Sequence, residues 1–321
     1  MHRFSKRLPW CAAILVSVVL PTRGQEDAGT TFRSDTRLVV LHASVVGKDG
    51  QLVTSLKPNA FHVFEGKVEQ PIKKVTREDV PVSLGLVIDN SGSMRGKRKK
   101  VEAASLAMVK ASNPQDEVTI VNFNDDAYQD VLFTNDIKRL EEGAARIDSK
   151  GGTAMRDAIS ATIDYMKSKA KHDKKVIVVV TDGDDNASSP AMTLERLVQK
   201  AHQGESNILI YSIGLLNEES KRDANRCKNA LRALADASGG SATFPKELAD
   251  VEKATLEVAR EIRNQYIIEY NPVNQNFDGA FRNVKVVVNA AGRPTVRTRS
   301  GYYATPDKQA NNTRRAQVST R

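Results

Sequence analysis

Aromatic residues make up only 5% of the 321 residues, with a single Trp, and cysteine occurs twice. Few aromatics argue against nucleic acid as a partner. Single-strand binders interleave stacking rings with cations, and the densest basic run, Arg95-Gly-Lys97-Arg98-Lys99-Lys100, contains no ring. Cys11 lies in an N-terminal apolar segment, so a chain that loses this segment keeps only Cys227 and forms no intramolecular disulfide. The five histidines show no metal-ligand spacing, and His42 and His62 fall in predicted strands, where packing accounts for them. There is no Gly-rich phosphate loop, no Gly-x-Ser-x-Gly elbow, and no Cys-His or Ser-His pairing. The sequence therefore favours a binding protein over an enzyme. A metal-dependent hydrolase or phosphotransferase using clustered carboxylates is the alternative.

No apolar run reaches the ~20 residues that span a bilayer. The N-terminus instead reads as an export signal over residues 1–24. Arg3, Lys6 and Arg7 form a basic start, Leu8 to Leu20 a short apolar core, and Thr22 and Gly24 precede a cut before Gln25. Lipidation at Cys11 does not fit, because the apolar core follows that residue. The expected location is secreted or periplasmic, with no transmembrane anchor after signal removal. The net charge of +9 falls by four to about +5 when Arg3, Lys6, Arg7 and Arg23 go. A basic tail, 305–321, holds Lys308, Arg314, Arg315 and Arg321 against Asp307, a further +3, and is expected to be disordered. The remaining body is nearly neutral, so the basic pI does not by itself indicate a polyanionic partner.

The hydropathy rhythm changes twice. Residues 36–80 carry short apolar runs separated by turn signals such as Gly47-Lys-Asp49-Gly50, which predicts a small strand meander. From Pro81 to Asn264, strand and helix patterns alternate. The strands are 82–88, 118–123, 128–133, 176–181, 207–213 and 242–244. The helices are 97–111, 136–147, 155–169, 192–203, 223–237 and 247–264. Such alternation predicts a mainly parallel, doubly wound sheet covered on both faces. Residues 265–304 return to β. Each flanking β segment is too small to be stable alone. The expectation is one β-sandwich built from 36–80 and 265–304, with the α/β unit inserted between them.

The chemistry concentrates where apolar strands end. Val82 to Ile88 stops at Asp89-Asn-Ser91-Gly-Ser93, which places one carboxylate and two hydroxyls in a loop beyond a strand's C-terminal end. Ligands bind at that end of an open α/β sheet. Lys150-Gly-Gly-Thr153 sets another hydroxyl before a helix, and Val176 to Val180 runs into Thr181-Asp182-Gly183. A lone Asp-x-Ser-x-Ser is also a helix N-cap pattern. The five positions together, Asp89, Ser91, Ser93, Thr153 and Asp182, are hard oxygen donors suited to Mg²⁺, with Mn²⁺ or Ca²⁺ as alternatives.

In this order the motifs resemble the metal-ion-dependent adhesion site (MIDAS) of the von Willebrand factor A (VWA) family, over roughly residues 81–264. The resemblance implies a six-stranded doubly wound fold. It also implies direct metal contacts from the serines, and from Thr153 in the open, high-affinity state, with the aspartates acting mostly through water. The partner would be a protein ligand whose acidic residue completes the coordination, in cell adhesion or a similar role. The whole chain also resembles secreted bacterial VWFA-related proteins, in the strand from Pro81-Val-Ser to Asp89 and in the closing Gly301-Tyr302-Tyr303. The insertion in a sandwich is similar to the hybrid domain of integrin β subunits. Around the metal loop, Arg95, Lys97 and Arg98 are expected to form a basic rim that steers an acidic ligand, and Asp184 and Asp185 to add rim charges. With the loop at the surface, Asp89→Ala is expected to remove the metal and spare the fold.

Overall fold

The computed structural model describes residues 37–145, 149–203 and 208–305. The expected export signal and the basic tail after Thr305 lie outside the described residues, as do the last two residues expected of the helix 136–147.

The strands that open the chain are β1 (Val39–Val46), β2 (Phe61–Glu65), β3 (Val68–Gln70) and β4 (Ile72–Thr76). The α/β layer follows with β5 (Val82–Asp89), α1 (Arg98–Lys110), β6 (Glu117–Phe123), β7 (Ala127–Thr134), α2 (Ile137–Ala144), α3 (Met155–Lys169) and β8 (Lys174–Thr181). It closes with α4 (Leu194–His202), β9 (Ile208–Gly214), α5 (Lys221–Ser238), β10 (Ala242–Thr243) and α6 (Val251–Arg263). The chain then returns to strands: β11 (Tyr266–Tyr270), β12 (Phe281–Val288), β13 (Thr295–Arg297) and β14 (Gly301–Tyr303).

The six-stranded sheet runs β10-β9-β8-β5-β6-β7, with β7 antiparallel and the rest parallel. Every residue of β5, β6 and β9 is buried, as expected of parallel strands covered on both faces. One face packs Val101 and Met108 of α1, Leu140 of α2 and Val258 of α6. The other packs Ile159 and Ile163 of α3, Leu197 of α4 and Leu231 of α5. The order of connection reverses at β5, whose neighbours are β6 and β8. The C-terminal ends of β5 and β8 therefore lie side by side with a crevice above them, where open α/β sheets place their ligands.

The flanking strands form two antiparallel four-stranded sheets, β13-β1-β11-β4 and β14-β12-β2-β3. The first segment is not a local meander. β1 pairs with β11 and β13, and β2 with β3 and β12, so each sheet mixes strands from both ends of the chain. One core joins them, with Leu41, Val45, Tyr266 and Ile268 from the first sheet and Val63, Val284 and Tyr302 from the second. The α/β layer is thus inserted in a sandwich made by the two segments that flank it.

β1 is buried on both faces. Leu41, Ala43 and Val45 point into the sandwich core. Ser44, on the opposite face, accepts a hydrogen bond from Gln265 Nε2 at 3.2 Å. The chain after α5 also meets the sandwich. Gly239 ends α5 with φ +91, and a Cβ there would lie 2.4 Å from the Arg299 nitrogen, so only glycine serves. Because β1 takes both its neighbours from the far end of the chain, a fragment of residues 36–80 should not fold. Its amide NMR spectrum is expected to show the narrow dispersion of an unfolded peptide. A well-dispersed spectrum would mean that the segment folds without its C-terminal partners.

Candidate metal centre above the parallel sheet

β5 delivers Asp89 to the crevice completely buried. Its Oδ1 accepts the Ser91 N–H at 2.8 Å and its Oδ2 accepts the Thr181 hydroxyl at 2.6 Å, so the carboxylate ties the ends of β5 and β8 together. Burial pushes its pKa up to about 6, against the hydrogen bonds from Ser91 and Thr181, with Asp182 adding repulsion. A short 3-10 turn, Gly92–Gly96, then carries Ser93 outward. Ser91 Oγ and Ser93 Oγ lie 3.1 Å apart, and the Ser93 hydroxyl donates to Asp182 Oδ1 at 2.8 Å. Asp89, Ser91, Ser93 and Asp182 are thus joined in one hydrogen-bonded group.

Thr153 arrives on a separate loop that is fastened at both ends. The Lys150 N–H donates to the Asn90 carbonyl at 3.2 Å, and the Gly92 N–H to the Gly151 carbonyl at 3.2 Å. Gly151 has φ +76, and a Cβ on it would lie 2.0 Å from Asp125 Oδ2. Glycine lets Asp125 approach and accept the Gly152 N–H at 2.7 Å. The Thr153 N–H donates to Asn186 Oδ1 at 2.9 Å, which clamps the loop to the segment after β8. Thr153 itself is buried.

The expected rim is reorganised. Lys97 is buried, and its ammonium lies 2.7 Å from Asp182 Oδ2 and 2.7 Å from Glu218 Oε2. Burial works to lower its pKa, but the bonds to the two carboxylates outweigh it and the net shift is upward. Arg98 is not a rim cation. It is only 1% exposed and points beneath the loop, where it donates to the Ala144 carbonyl at 3.0 Å. That carbonyl closes α2, where a cation complements the helix dipole. Asp185 is not a rim charge either. Its carboxylate accepts the Arg156 N–H at 2.7 Å in the first turn of α3 and pairs with the Arg156 guanidinium at 3.2 Å. Arg95 is exposed and donates to the Ser149 carbonyl at 3.2 Å, and Asp184 pairs with Arg226 of α5 at 2.6 Å. The surface-loop expectation for Asp89 also fails, because this carboxylate is a buried strut.

Sequence reading missed Glu218 and Glu219, on the loop after β9. Burial raises the pKa of Glu219, with Asp182 and Asp223 adding to it. Their only sequence signal is their place, just past the C-terminal end of a strand of the same sheet.

The donors suit a hard cation: three hydroxyls and two carboxylates, with no thiol or imidazole among them. One cationic group, the Lys97 ammonium, already pairs with Asp182 among these donors.

Residues 84–184, which contain all five of these donors, match the family model of the von Willebrand factor type A domain. Over 149 residues the chain is 24% identical to the bovine (Bos taurus) inter-alpha-trypsin inhibitor heavy chain H4, covering 42% of this chain and 16% of that protein. It is 30% identical over 120 residues to mouse (Mus musculus) integrin alpha-11, covering 35% of this chain and 9% of that protein. The chain therefore corresponds to a small part of the length of these relatives. A solved structure of von Willebrand factor type A from Catenulispora acidiphila has the same fold. It superposes with a TM-score of 0.50 at 16% identity, over 87% of this chain and 76% of that one. The α/β layer has the VWA fold, and its residues 84–184 match the VWA family model.

Proposed function

We propose that this protein is an exported binding module that captures an acidic side chain of a protein partner through a divalent cation. Asp89, Ser91, Ser93, Thr153 and Asp182 would hold the ion, Mg²⁺ by donor hardness, with Mn²⁺ or Ca²⁺ as substitutes. VWA domains commonly mediate metal-dependent protein interaction and are generally interaction modules rather than enzymes. Among the described residues no helix is long and apolar enough to cross a membrane.

The observation that carries the proposal is the joining of one loop to two carboxylates at adjacent strand ends, the Ser91 N–H to Asp89 and the Ser93 hydroxyl to Asp182, with the two serine hydroxyls 3.1 Å apart, above the point where the sheet reverses. Hydroxyl donors leave a bound cation largely unneutralised, and a partner carboxylate supplies the missing charge. The protein's part is to hold these oxygens in place: Thr181 and the Ser91 backbone orient Asp89, and Asn186 orients Thr153.

Ser93 is the cleanest residue to change, because it is exposed whereas Asp89 is a strut. Ser93→Ala should weaken Mg²⁺ or Mn²⁺ binding about tenfold in calorimetry, the cost of one lost ligand contact of ~1.4 kcal/mol, and leave the melting temperature of the metal-free protein within a few degrees. Unchanged affinity for all three ions would remove Ser93 from the site. The partner half of the proposal is tested by affinity capture from envelope and secreted fractions. Proteins retained in Mg²⁺, released by EDTA and not retained by Ser93→Ala would support it. Retention indifferent to EDTA would argue against it.

A further inference from the structure

At the opposite end of β5 and β8 from the metal centre, a cavity of about 830 Å³ lies between the α/β layer and the sandwich. That volume is in the usual range for small-molecule sites. Its walls come from β1, the starts of β5 and β8, β11, and the chain leading to β14. Five Lys and Arg side chains line it against two carboxylates, Asp173 and Glu269.

Three of the basic groups are buried in the wall: Lys174 at 4%, His42 at 6% and Arg299 at 8% exposure. Their hydrogen-bond partners are neutral. Lys174 Nζ donates to the Ile262 carbonyl, and Arg299 Nη2 donates to the Val40 carbonyl at 3.1 Å while the guanidinium lies over the Tyr302 ring. His42 Nδ1 and Arg299 Nε are buried with no hydrogen-bond partner among the described residues. Buried donors and charges are ordinarily satisfied, and leaving them unmatched is costly. Two unmatched nitrogens at one cavity, on His42 and Arg299, with the Lys174 ammonium beside them bonded only to a carbonyl, are what an anionic ligand would complete. Leu38, Val40 and Ile267 give the same cavity an apolar side.

We propose that this cavity binds an amphiphilic organic anion, with its carboxylate or phosphate head on His42, Lys174 and Arg299 and its apolar body along Leu38, Val40 and Ile267. The electrostatics agree. Burial first, then the neighbouring Lys174 and Arg299, holds His42 down at about 3, and burial with Arg263 holds Lys174 down at about 7. An anion placed among them would offset the repulsion between these cations and shift both groups back upward. The proposal is independent of the metal site, because the two lie at opposite ends of the strands.

The test is calorimetry on the full-length protein with decanoate, decyl phosphate and decanol. At least one of the two anions should bind saturably, one per chain, and decanol at least about tenfold more weakly, the usual advantage of charge-assisted over neutral hydrogen bonds. Arg299→Met should weaken the anion by about tenfold or more, on the same reasoning, and leave divalent-cation affinity unchanged. Should Arg299→Met fail to fold, Lys175→Glu reverses one wall charge without removing a buried contact, and it should weaken the anion in the same direction. No saturable binding of either anion would overturn the proposal. So would equal affinity for decanol, or full anion affinity in a folded variant.

Discussion

Replacing Lys97 by Met is expected to tighten Mg²⁺ or Mn²⁺ binding by about one to two orders of magnitude. The Lys97 ammonium lies on Asp182 Oδ2, while Ser93 holds the other oxygen. Lys97 must leave this carboxylate before a cation can use it fully. A unit charge held ~5 Å from a divalent ion costs about 6–7 kcal/mol at an effective dielectric constant of 20. Much of that is avoidable, because Glu218, whose side chain is 75% exposed, offers Lys97 a second place to rest. A residual of about 1.5–3 kcal/mol gives the stated change in affinity. Lys97→Arg, which keeps the charge, should not show the gain. Titration calorimetry on the three proteins decides. Equal or weaker binding in Lys97→Met would show that the ammonium does not compete for the site.

On this account Lys97 is an internal substitute for the ion. Asp182 stands close enough to Asp89 and to Glu219 to add to the upward shift of each. Without a positive charge the crevice would be strained by its own acids. The ammonium relieves that strain, and it would compete with a cation for the same carboxylate.

The parts of this picture that were legible in the sequence are those carried by short-range pattern. The strand ending at Asp89, the helix 155–169 and the strand ending at Asp182 are local hydropathy features, and the fold places them as expected. All six helices and six strands of the α/β layer were legible for the same reason, to within a few residues at their ends. Side-chain direction was not. Arg98 and Lys97 are adjacent in a basic run, yet one turns under α2 and the other into the crevice. The run's composition does not say which, because the choice depends on the Ala144 carbonyl 46 residues away and on Asp182 85 residues away. Asp185 was similarly opaque, since its role is set by the N-terminus of a helix that precedes it in the chain. The sandwich was legible as an association of two weak halves. The strand exchange within it was not, because pairing partners more than 200 residues apart leave no local trace.

The second large effect is expected at alkaline pH, from Lys174. Its ammonium is buried where the α/β layer meets the sandwich, and burial first, then Arg263, holds its pKa down at about 7 against an ordinary 10.5, while Asp79 and Asp116 work the other way. Arg299 and His42 are the other basic groups nearby, since Lys174 acts on His42 and Arg299 lines the same cavity. Between pH 7 and 10.5 the unfolded chain holds a proton on Lys174 that the folded chain has released. The unfolded state binds more protons, so stability rises with pH by about 1.4 kcal/mol per unit, to an upper bound of about 5 kcal/mol over the interval. Below pH 7 both states are charged and the slope vanishes. Cys227, Tyr270 and Tyr302 oppose this trend at higher pH, because burial raises each of them above its ordinary value. The clean window is pH 7 to 8.5, where the gain is about 2 kcal/mol. Urea unfolding across that window should show the rise in the parent and a flat line in Lys174→Met, which has nothing to titrate there. Lys174→Met should also be the more stable protein at pH 7, because an apolar chain of similar length no longer bears the cost of burying the charge. Parallel slopes in parent and variant would mean that Lys174 titrates in the folded protein as it does in water, and that its burial costs little. A decanoate-saturated parent should lose the rise as well, since an anion beside Lys174 keeps it protonated.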